Sequence, residues 1–188
     1  MLILVNPTHR NLSSDPEYRG VRFPFIGIRQ FWRVLADGGL IDKKVAYGLT
    51  SRKDWNEGCT EQVKRELVGN GLFLTNIVKC CYDHSSYPDG DVIKDQMEVL
   101  AEEIRIVSPE SIIAFGGLVY KTLTGKNIKL SEYWNGGMTE GNREVISGSG
   151  VVTEPCYFPI GRGNPRKAAE ILSKIRAASH GRRGLHER

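Results

Sequence analysis

The sequence predicts an α/β protein, a three-layer α/β/α sandwich around a central, mainly four-stranded parallel sheet. Short apolar runs, typical of strands buried on both faces, alternate along the chain with longer segments whose apolar residues recur every three or four positions. The chain has 188 residues, 40% of them hydrophobic, which is enough for one domain with its own core. We therefore expect a single domain over residues 1–178 and a flexible, basic tail over residues 179–188.

The first predicted elements are a strand and a helix joined by a polar loop. Residues 2–5 are all apolar, and Pro7 ends this strand because proline cannot donate to a ladder. After a loop rich in turn-forming residues, a helix is predicted from about Ile28 to the glycine pair at 38–39. The apolar face of this helix consists of Phe31, Val34 and Leu35.

The middle of the chain contains the most periodic helix. Residues 40–60 show no clear period, so no element is predicted there. A short helix is predicted over residues 60–68, with Thr60 as its N-cap, and the second strand over residues 71–78. A long helix follows, because its apolar residues step by four and three along one face. These residues are Ile93, Met97, Leu100, Ile104 and Val107.

The last third of the chain supplies two more strands and a final helix. The third strand is predicted over residues 111–115, a short helix over residues 119–123 and the fourth strand over residues 156–158. The segment between them is rich in glycine and polar residues, with Asn135-Gly136 as a predicted hairpin turn. The loop at residues 160–165 opens the final helix. The predicted inner face of that helix consists of Ala168, Ile171, Leu172, Ile175 and Ala178.

Basic residues are concentrated in two parts of the chain. Residues 162–188 contain eight Lys and Arg against two Glu, a net charge of +6, whereas the whole chain carries +4. The opening segment has five arginines against two acidic residues. Basic residues collected on two loops suit a phosphate backbone, so nucleic acid is the expected partner.

Composition and motifs argue against several other classes. No apolar run approaches the roughly 18 residues of a membrane helix, and residues 1–5 are too short, and lack the basic leader, for a signal peptide. We therefore expect a soluble, cytoplasmic (nucleoid-associated) monomer. The four cysteines lack CxxC spacing, which predicts reduced thiols and no metal or cofactor. Walker and GxGxxG motifs are missing, which disfavours a nucleotide-dependent enzyme, and the lack of an HxE motif disfavours a zinc deaminase.

Three segments resemble the opening of the uracil-DNA glycosylase superfamily. They are residues 5–9 (VNPTH), 23–25 (FPF) and 30–35 (QFWRVL), in the order and spacing of its mismatch-specific uracil/thymine branch. A further segment, residues 74–80 (LTNIVKC), is similar to the uracil-reading strand of other branches. Some thermophile branches carry an iron–sulfur cluster, but this chain lacks the N-terminal cysteine pair for one, so no cluster is predicted.

The resemblance implies roles for four residues. Asn6, after the first strand, would orient the attacking water, and Phe25 would stack on the flipped base. Asn76 would read the edge of uracil, because one amide complements both N3–H and O4. His9 would help to hold DNA phosphate. From the residues alone, a turn-capping Asn6, a core Phe25, a strand-closing Asn76 and a solvent-exposed His9 remain open.

The final motif of the superfamily, histidine- or asparagine-proline-serine, has no clear equivalent here. Residues 158–160 (FPI) align by strand position, whereas Asn164-Pro165 aligns by dipeptide, with Arg166 in place of serine. In either alignment, backbone N–H groups at the start of the final helix could bind phosphate. The predicted DNA-binding residues of this loop are Arg162, as the residue that wedges into the helix, with Gly163, Asn164, Arg166 and Lys167.

These observations predict a monofunctional DNA glycosylase that flips out and removes uracil, or mismatched thymine or other deaminated bases, in base excision repair. Its expected partner is DNA that contains uracil or a mismatch, with no membrane contact. The altered final motif leaves an alternative open, a nucleic-acid-binding protein of the same fold without turnover.

Overall fold

The computed structural model describes residues 1–7, 28–51, 57–81, 87–135, 150–161 and 163–183. Its strands are β1 (Leu2–Leu4), β2 (Leu74–Asn76), β3 (Ser111–Phe115) and β4 (Val152–Cys156). Its helices are α1 (Arg29–Asp37), α2 (Lys43–Ser51), α3 (Glu57–Gly69), α4 (Gly90–Asp95), α5 (Met97–Val107), α6 (Gly117–Thr124), α7 (Leu130–Asn135) and α8 (Pro165–Arg183).

The four strands form one parallel sheet in the order β2-β1-β3-β4. The central strand β1 is apolar on both sides, as a strand covered by helices on both faces must be. Its register pairs Leu2 with Leu74 and Leu4 with Asn76 in β2, and Leu2 with Ile113 in β3. Because all strands are parallel, all four carboxyl ends lie at one edge of the sheet.

Side chains that alternate along the strands build a separate core on each face of the sheet. The first core contains Leu2, Leu4, Leu74, Phe115 and Cys156 together with side chains of α1, α2, α3 and α8. The second contains Ile3, Val5, Ile112 and Ala114 together with side chains of α5 and α6. Helices on both faces confirm the predicted three-layer α/β/α fold.

The fourth strand begins four residues before its predicted start and overlaps the prediction only at Cys156. The sequence predicted residues 156–158, but β4 runs from Val152 to Cys156 and contains Pro155, which is paired with Ala114. Among the described strands β4 has only β3 as a neighbour, and an edge strand tolerates a proline because one side of its backbone needs no ladder bond.

Two helices were not predicted, α2 and α7. α2 buries Ala46 and Leu49 against α1, although glycine and polar residues obscure its period. α7 has only six residues and is fixed by tertiary contacts, since Trp134 Nε1 donates to Pro155 O at 3.1 Å. Asn135 ends this helix, so the predicted hairpin turn is wrong at that residue, while Gly136 lies outside the described residues.

Two other helix predictions also need correction. Thr60 is buried inside α3 rather than at its N-cap, since that helix begins at Glu57. The long periodic segment is two helices, α4 and α5, with Gln96 between them. The final helix α8 continues to Arg183 and so overlaps the start of the predicted tail, while the division into a domain and a tail stays a prediction.

Candidate functional site

The carboxyl ends of β1 and β2 bring Asn6 and Asn76 to the same edge of the sheet. Beyond the paired residues Leu4 and Asn76, Ile77 N donates to Leu4 O at 2.8 Å and Val78 N to Val5 O at 2.9 Å. These bonds keep the segments that follow β1 and β2 side by side past the end of β2. Asn6 comes directly after Val5 and therefore continues the segment that lies beside Asn76.

Asn76 is a buried side chain with an unsatisfied acceptor. It is only 3% exposed, and among the residues that the structure describes none donates a hydrogen bond to its Oδ1. Leu74, two positions earlier, packs in the first core, so strand alternation places Asn76 on the side of the sheet that carries α1 and α8. A buried acceptor without a donor costs about 1–3 kcal/mol, which makes this amide a candidate for ligand recognition.

Asn6 makes a local contact. Its Nδ2 donates to the carbonyl oxygen of Pro7 at 3.1 Å, and the side chain is partly buried. This bond stabilises the local turn, which is the alternative role that the sequence analysis kept for Asn6. It leaves the amide oxygen as the group that can accept a hydrogen bond from a water at the sheet edge.

A partly buried polar cluster next to Asn76 was missed by the sequence analysis. Lys79 Nζ donates to Thr75 Oγ1 at 2.7 Å, to Asn76 O at 2.6 Å and to Glu103 Oε2 at 2.6 Å. Burial lowers the pKa of Lys79, and its bond to Glu103 opposes that shift. The available signal was a single lysine directly after the apolar pair Ile77-Val78 at a strand end.

The loop after β4 is tightly closed around a glycine. Gly163 N donates to Ile160 O and Asn164 N to Phe158 O, both at 3.0 Å. A Cβ on Gly163 would collide with the carbonyl oxygen of Phe158, so no larger residue fits without a backbone shift. These contacts hold the described part of the loop, between the sheet edge and α8, in a compact turn.

The side chains at the start of α8 have contacts within the protein. Asn164 Oδ1 accepts from Lys167 N at 3.0 Å, so Asn164 is the N-cap of α8, with Pro165 at the first helical position. Arg166 pairs with Glu170 at 3.2 Å, and Lys167 Nζ lies 5.5 Å from the ring centroid of Tyr157. Gly163 lies beside them. Their predicted DNA contacts stay predictions.

Three predicted site residues, His9, Phe25 and Arg162, lie outside the described residues. The thiols of Cys59 and Cys156 are buried, whereas Cys80 is exposed and Cys81 partly so, and none of the four forms a disulfide. Within the described ranges, no group of three or more His, Cys, Asp or Glu side chains could hold a metal ion. No helix in that same part of the chain is long and apolar enough to cross a membrane.

A surface groove of about 1030 Å³ lies between α1 and α8. Neither Asn6 nor Asn76 lines this groove, so the groove is distinct from the site at the strand ends. Pro165 and Arg166, the first residues of α8, are among the residues that line the groove and follow the loop after β4. The charged residues that line it are the basic Arg29, Arg33, Arg166 and Lys174 and the acidic Asp37 and Glu170.

Fold and site together define a parallel α/β protein with a polar candidate site at the carboxyl edge of its sheet, where open α/β proteins bind ligands. Residues 11–174 match the family model of the uracil DNA glycosylase superfamily, and the chain belongs to this superfamily. No curated protein matches the chain.

Membership supports a DNA glycosylase that acts on DNA in base excision repair. The match is to the superfamily as a whole and does not single out the mismatch-specific branch. It includes Asn76 and the loop before α8 but begins after Asn6 and His9. The roles of those two residues therefore depend on the local motif and on geometry.

Proposed function

We propose that the chain is a monofunctional glycosylase that flips uracil out of DNA and removes it by hydrolysis, with mismatched thymine or other deaminated bases as further substrates. The observation that carries this proposal is the buried Asn76 amide, whose Oδ1 lacks a donor among the described residues. Uracil presents an N3–H donor beside its O4 acceptor. N3–H would supply the missing donor, and O4 would accept from Nδ2 of the same amide.

The reaction needs few groups from the protein. A water attacks C1′ as the C1′–N1 bond breaks, the bond electrons leave with the base, and the proton that the water loses passes through solvent to the departing base anion. Asn6 would orient this water, but an amide is no general base, so we expect slow chemistry that depends on positioning. The hydrogen bond that Asn76 Nδ2 donates to O4 would stabilise the negative charge that develops on the leaving base.

The remaining assignments concern how DNA is held. Phe25 would stack on the extruded base, and Arg162 would fill the gap that the base leaves in the duplex. The basic start of α8 and His9 would contact phosphates on either side. We propose that the protein acts as a cytoplasmic, nucleoid-associated monomer.

The test is an oligonucleotide that contains one uracil, incubated with the protein and then heated in alkali, which cleaves the strand wherever a base has been removed. We expect cleavage at the uracil in single strands or opposite guanine. A matched oligonucleotide with cytosine in place of uracil should remain intact. If the uracil oligonucleotide stays intact both as a single strand and opposite guanine, the proposal is contradicted.

The alternative, a DNA-binding protein of the same fold without turnover, is favoured by one observation. The residues directly after β4 include the apolar run Phe158-Pro159-Ile160, and the amide of Asn164 is already used to cap α8. A polar group from the final motif is therefore missing among the described residues after β4. Gel retardation of the uracil oligonucleotide without cleavage in alkali would support this alternative.

A further inference from the structure

We propose that Lys79 is a positioning residue that fixes the base-reading residue Asn76 through the peptide group between Asn76 and Ile77, with Glu103 holding the lysine in place. This inference rests on the proposed glycosylase function, because it assigns Asn76 to base recognition. It adds to the site a pair of residues, one from the end of β2 and one from α5, that need not touch DNA.

The peptide between Asn76 and Ile77 is held from both sides. Ile77 N donates to Leu4 O at 2.8 Å, toward β1. In a planar trans peptide, the N–H and C=O groups point in opposite directions, so Asn76 O points away from β1. Among the described strands β2 has no neighbour on that side, and there Lys79 Nζ donates to Asn76 O at 2.6 Å.

The ammonium of Lys79 has as many acceptors as it has N–H groups. Besides Asn76 O, they are Thr75 Oγ1 at 2.7 Å and Glu103 Oε2 at 2.6 Å. Glu103 Oε2 also accepts from Thr75 Oγ1 at 2.9 Å. Charge-assisted bonds of this kind are stronger and more directional than neutral ones, so the lysine has one defined position.

Glu103 connects this cluster to the second core. Its neighbour on α5, Ile104, is 4% exposed, and Leu100, one turn earlier, is completely buried. The carboxylate is therefore held by a helix that is itself fixed by packing. An ordinary surface ion pair does not contact the backbone of a buried residue. The pair of Lys79 and Glu103 does, because Lys79 donates to the backbone carbonyl of Asn76.

Positioning matters because an error of about 1 Å can cost a hundredfold in rate. Without the Lys79 bond, the peptide is held only by β1, and the amide of Asn76 can tilt with it. Binding of undamaged DNA should be insensitive to this tilt, since phosphate contacts supply most of that affinity. Excision should be sensitive, because it requires both hydrogen bonds to the base at once.

The test uses Lys79→Met, which keeps the aliphatic stem and removes the donors. We expect single-turnover excision of uracil to fall about a hundredfold, with affinity for a duplex that contains a tetrahydrofuran abasic site within about twofold of the parent. Leu100→Val is the matched control, because it destabilises α5 one turn from Glu103 without removing a polar atom. Lys129→Met, which breaks an exposed pair with Glu132, is the second control and should excise like the parent.

Hydrogen exchange at Ile77 N–H supplies a readout that does not depend on activity. Loss of a charge-assisted bond should speed this exchange in Lys79→Met about tenfold or more, beyond any change in global stability. Unchanged protection would overturn the inference, as would a loss of excision in Leu100→Val equal to that in Lys79→Met at the same stability. If the parent excises nothing, the proposed function fails, and exchange at Ile77 still decides whether Lys79 holds this peptide.

Discussion

Leu4 and Asn76 are direct neighbours in adjacent parallel strands, so β1 and β2 end level with each other at the carboxyl edge of the sheet. Asn6 lies two residues beyond Leu4, at the point where the chain leaves the sheet. A group that orients water must act at C1′, and a group that reads a base must act at the far edge of the base of the same nucleotide. The level strand ends place one amide on each of two neighbouring segments, Asn6 and Asn76, to which the proposed function assigns these two tasks.

The first prediction concerns Asn6. Asn6→Ala should leave DNA affinity near that of the parent while excision falls about a hundredfold, the usual cost of removing one positioned hydrogen-bonding group. Single-turnover cleavage of the uracil oligonucleotide measures the rate, and gel retardation measures the affinity. Asn70→Ala, at the exposed end of α3, is the control and should behave like the parent. Full activity in Asn6→Ala would mean that another residue orients the water.

The second prediction concerns the start of α8. If Arg166 and Lys167 contact phosphates, replacing both with alanine should reduce the slope of log affinity against log salt by roughly two, about 0.9 for each lost contact. The effect should be the same for DNA with and without uracil, because phosphates carry no sequence information. Arg105 and Lys129 are two exposed basic residues elsewhere on the protein. Replacing both with alanine makes the same charge change and should leave the slope unaltered. An identical slope in both double variants would exclude this helix start from the interface.

The third prediction concerns the closed loop before α8. Gly163→Ala places a methyl group against the carbonyl oxygen of Phe158, so the loop must shift or the fold must lose about 1–3 kcal/mol. Since this loop positions the basic start of α8, DNA affinity should fall as well. Urea denaturation measures the first effect and gel retardation the second.

Gly48→Ala is the matched control for that substitution. Gly48 lies inside α2, and no described atom lies within 4 Å of the Cβ that alanine would add. Alanine should therefore raise the free energy of unfolding by about 0.5–1 kcal/mol, since glycine is a poor residue inside a helix. Equal stability of the two alanine variants would show that the contact at Gly163 is relieved at no cost.

The residues show why parts of this fold were predictable and others were not. Residues 2–5 and 112–115 are apolar throughout because their strands are covered on both faces, and that pattern is visible in one dimension. Among the described strands β4 has a neighbour on one side only, so Glu154 and Pro155 fit within it and obscure the strand. Glu154 is buried, and Tyr133 on α7 donates to its carboxylate at 3.3 Å, a contact that only the tertiary structure reveals.

The features of the candidate site also fall into those that the sequence indicates and those that only the tertiary structure reveals. Asn76 was predictable because its segment carries a local motif, and a buried strand end is a local property. The bond between Lys79 and Glu103 joins residues 24 positions apart, from a strand end and a helix, and no periodicity connects them. For Asn164, helix capping and DNA contact favour the same residue type before Pro165, so sequence alone could not separate them.

The last prediction uses the two buried acceptors that lack donors among the described residues, Asn76 Oδ1 and Thr153 Oγ1. Each costs free energy in the unbound protein, about 1–3 kcal/mol by the usual penalty for an unpaired buried group. Asn76→Leu keeps a similar shape and removes the polar atoms, so we expect a more stable protein. We also expect it to lose nearly all excision of uracil, because both hydrogen bonds to the base disappear.

Thr153→Val is the matched control because it removes the other orphaned oxygen. Thr153 pairs with Ile112, whose side chain packs in the second core, so it lies on the opposite face of the sheet from Asn76. Both variants should therefore unfold at higher urea concentration than the parent, but only Asn76→Leu should fail to cleave the uracil oligonucleotide. An Asn76→Leu protein that is less stable than the parent would mean that the amide oxygen is already paired in the free protein. One that still excises uracil would mean that the base is read elsewhere. Stabilisation together with inactivity is the result expected of a group whose donor arrives with the substrate.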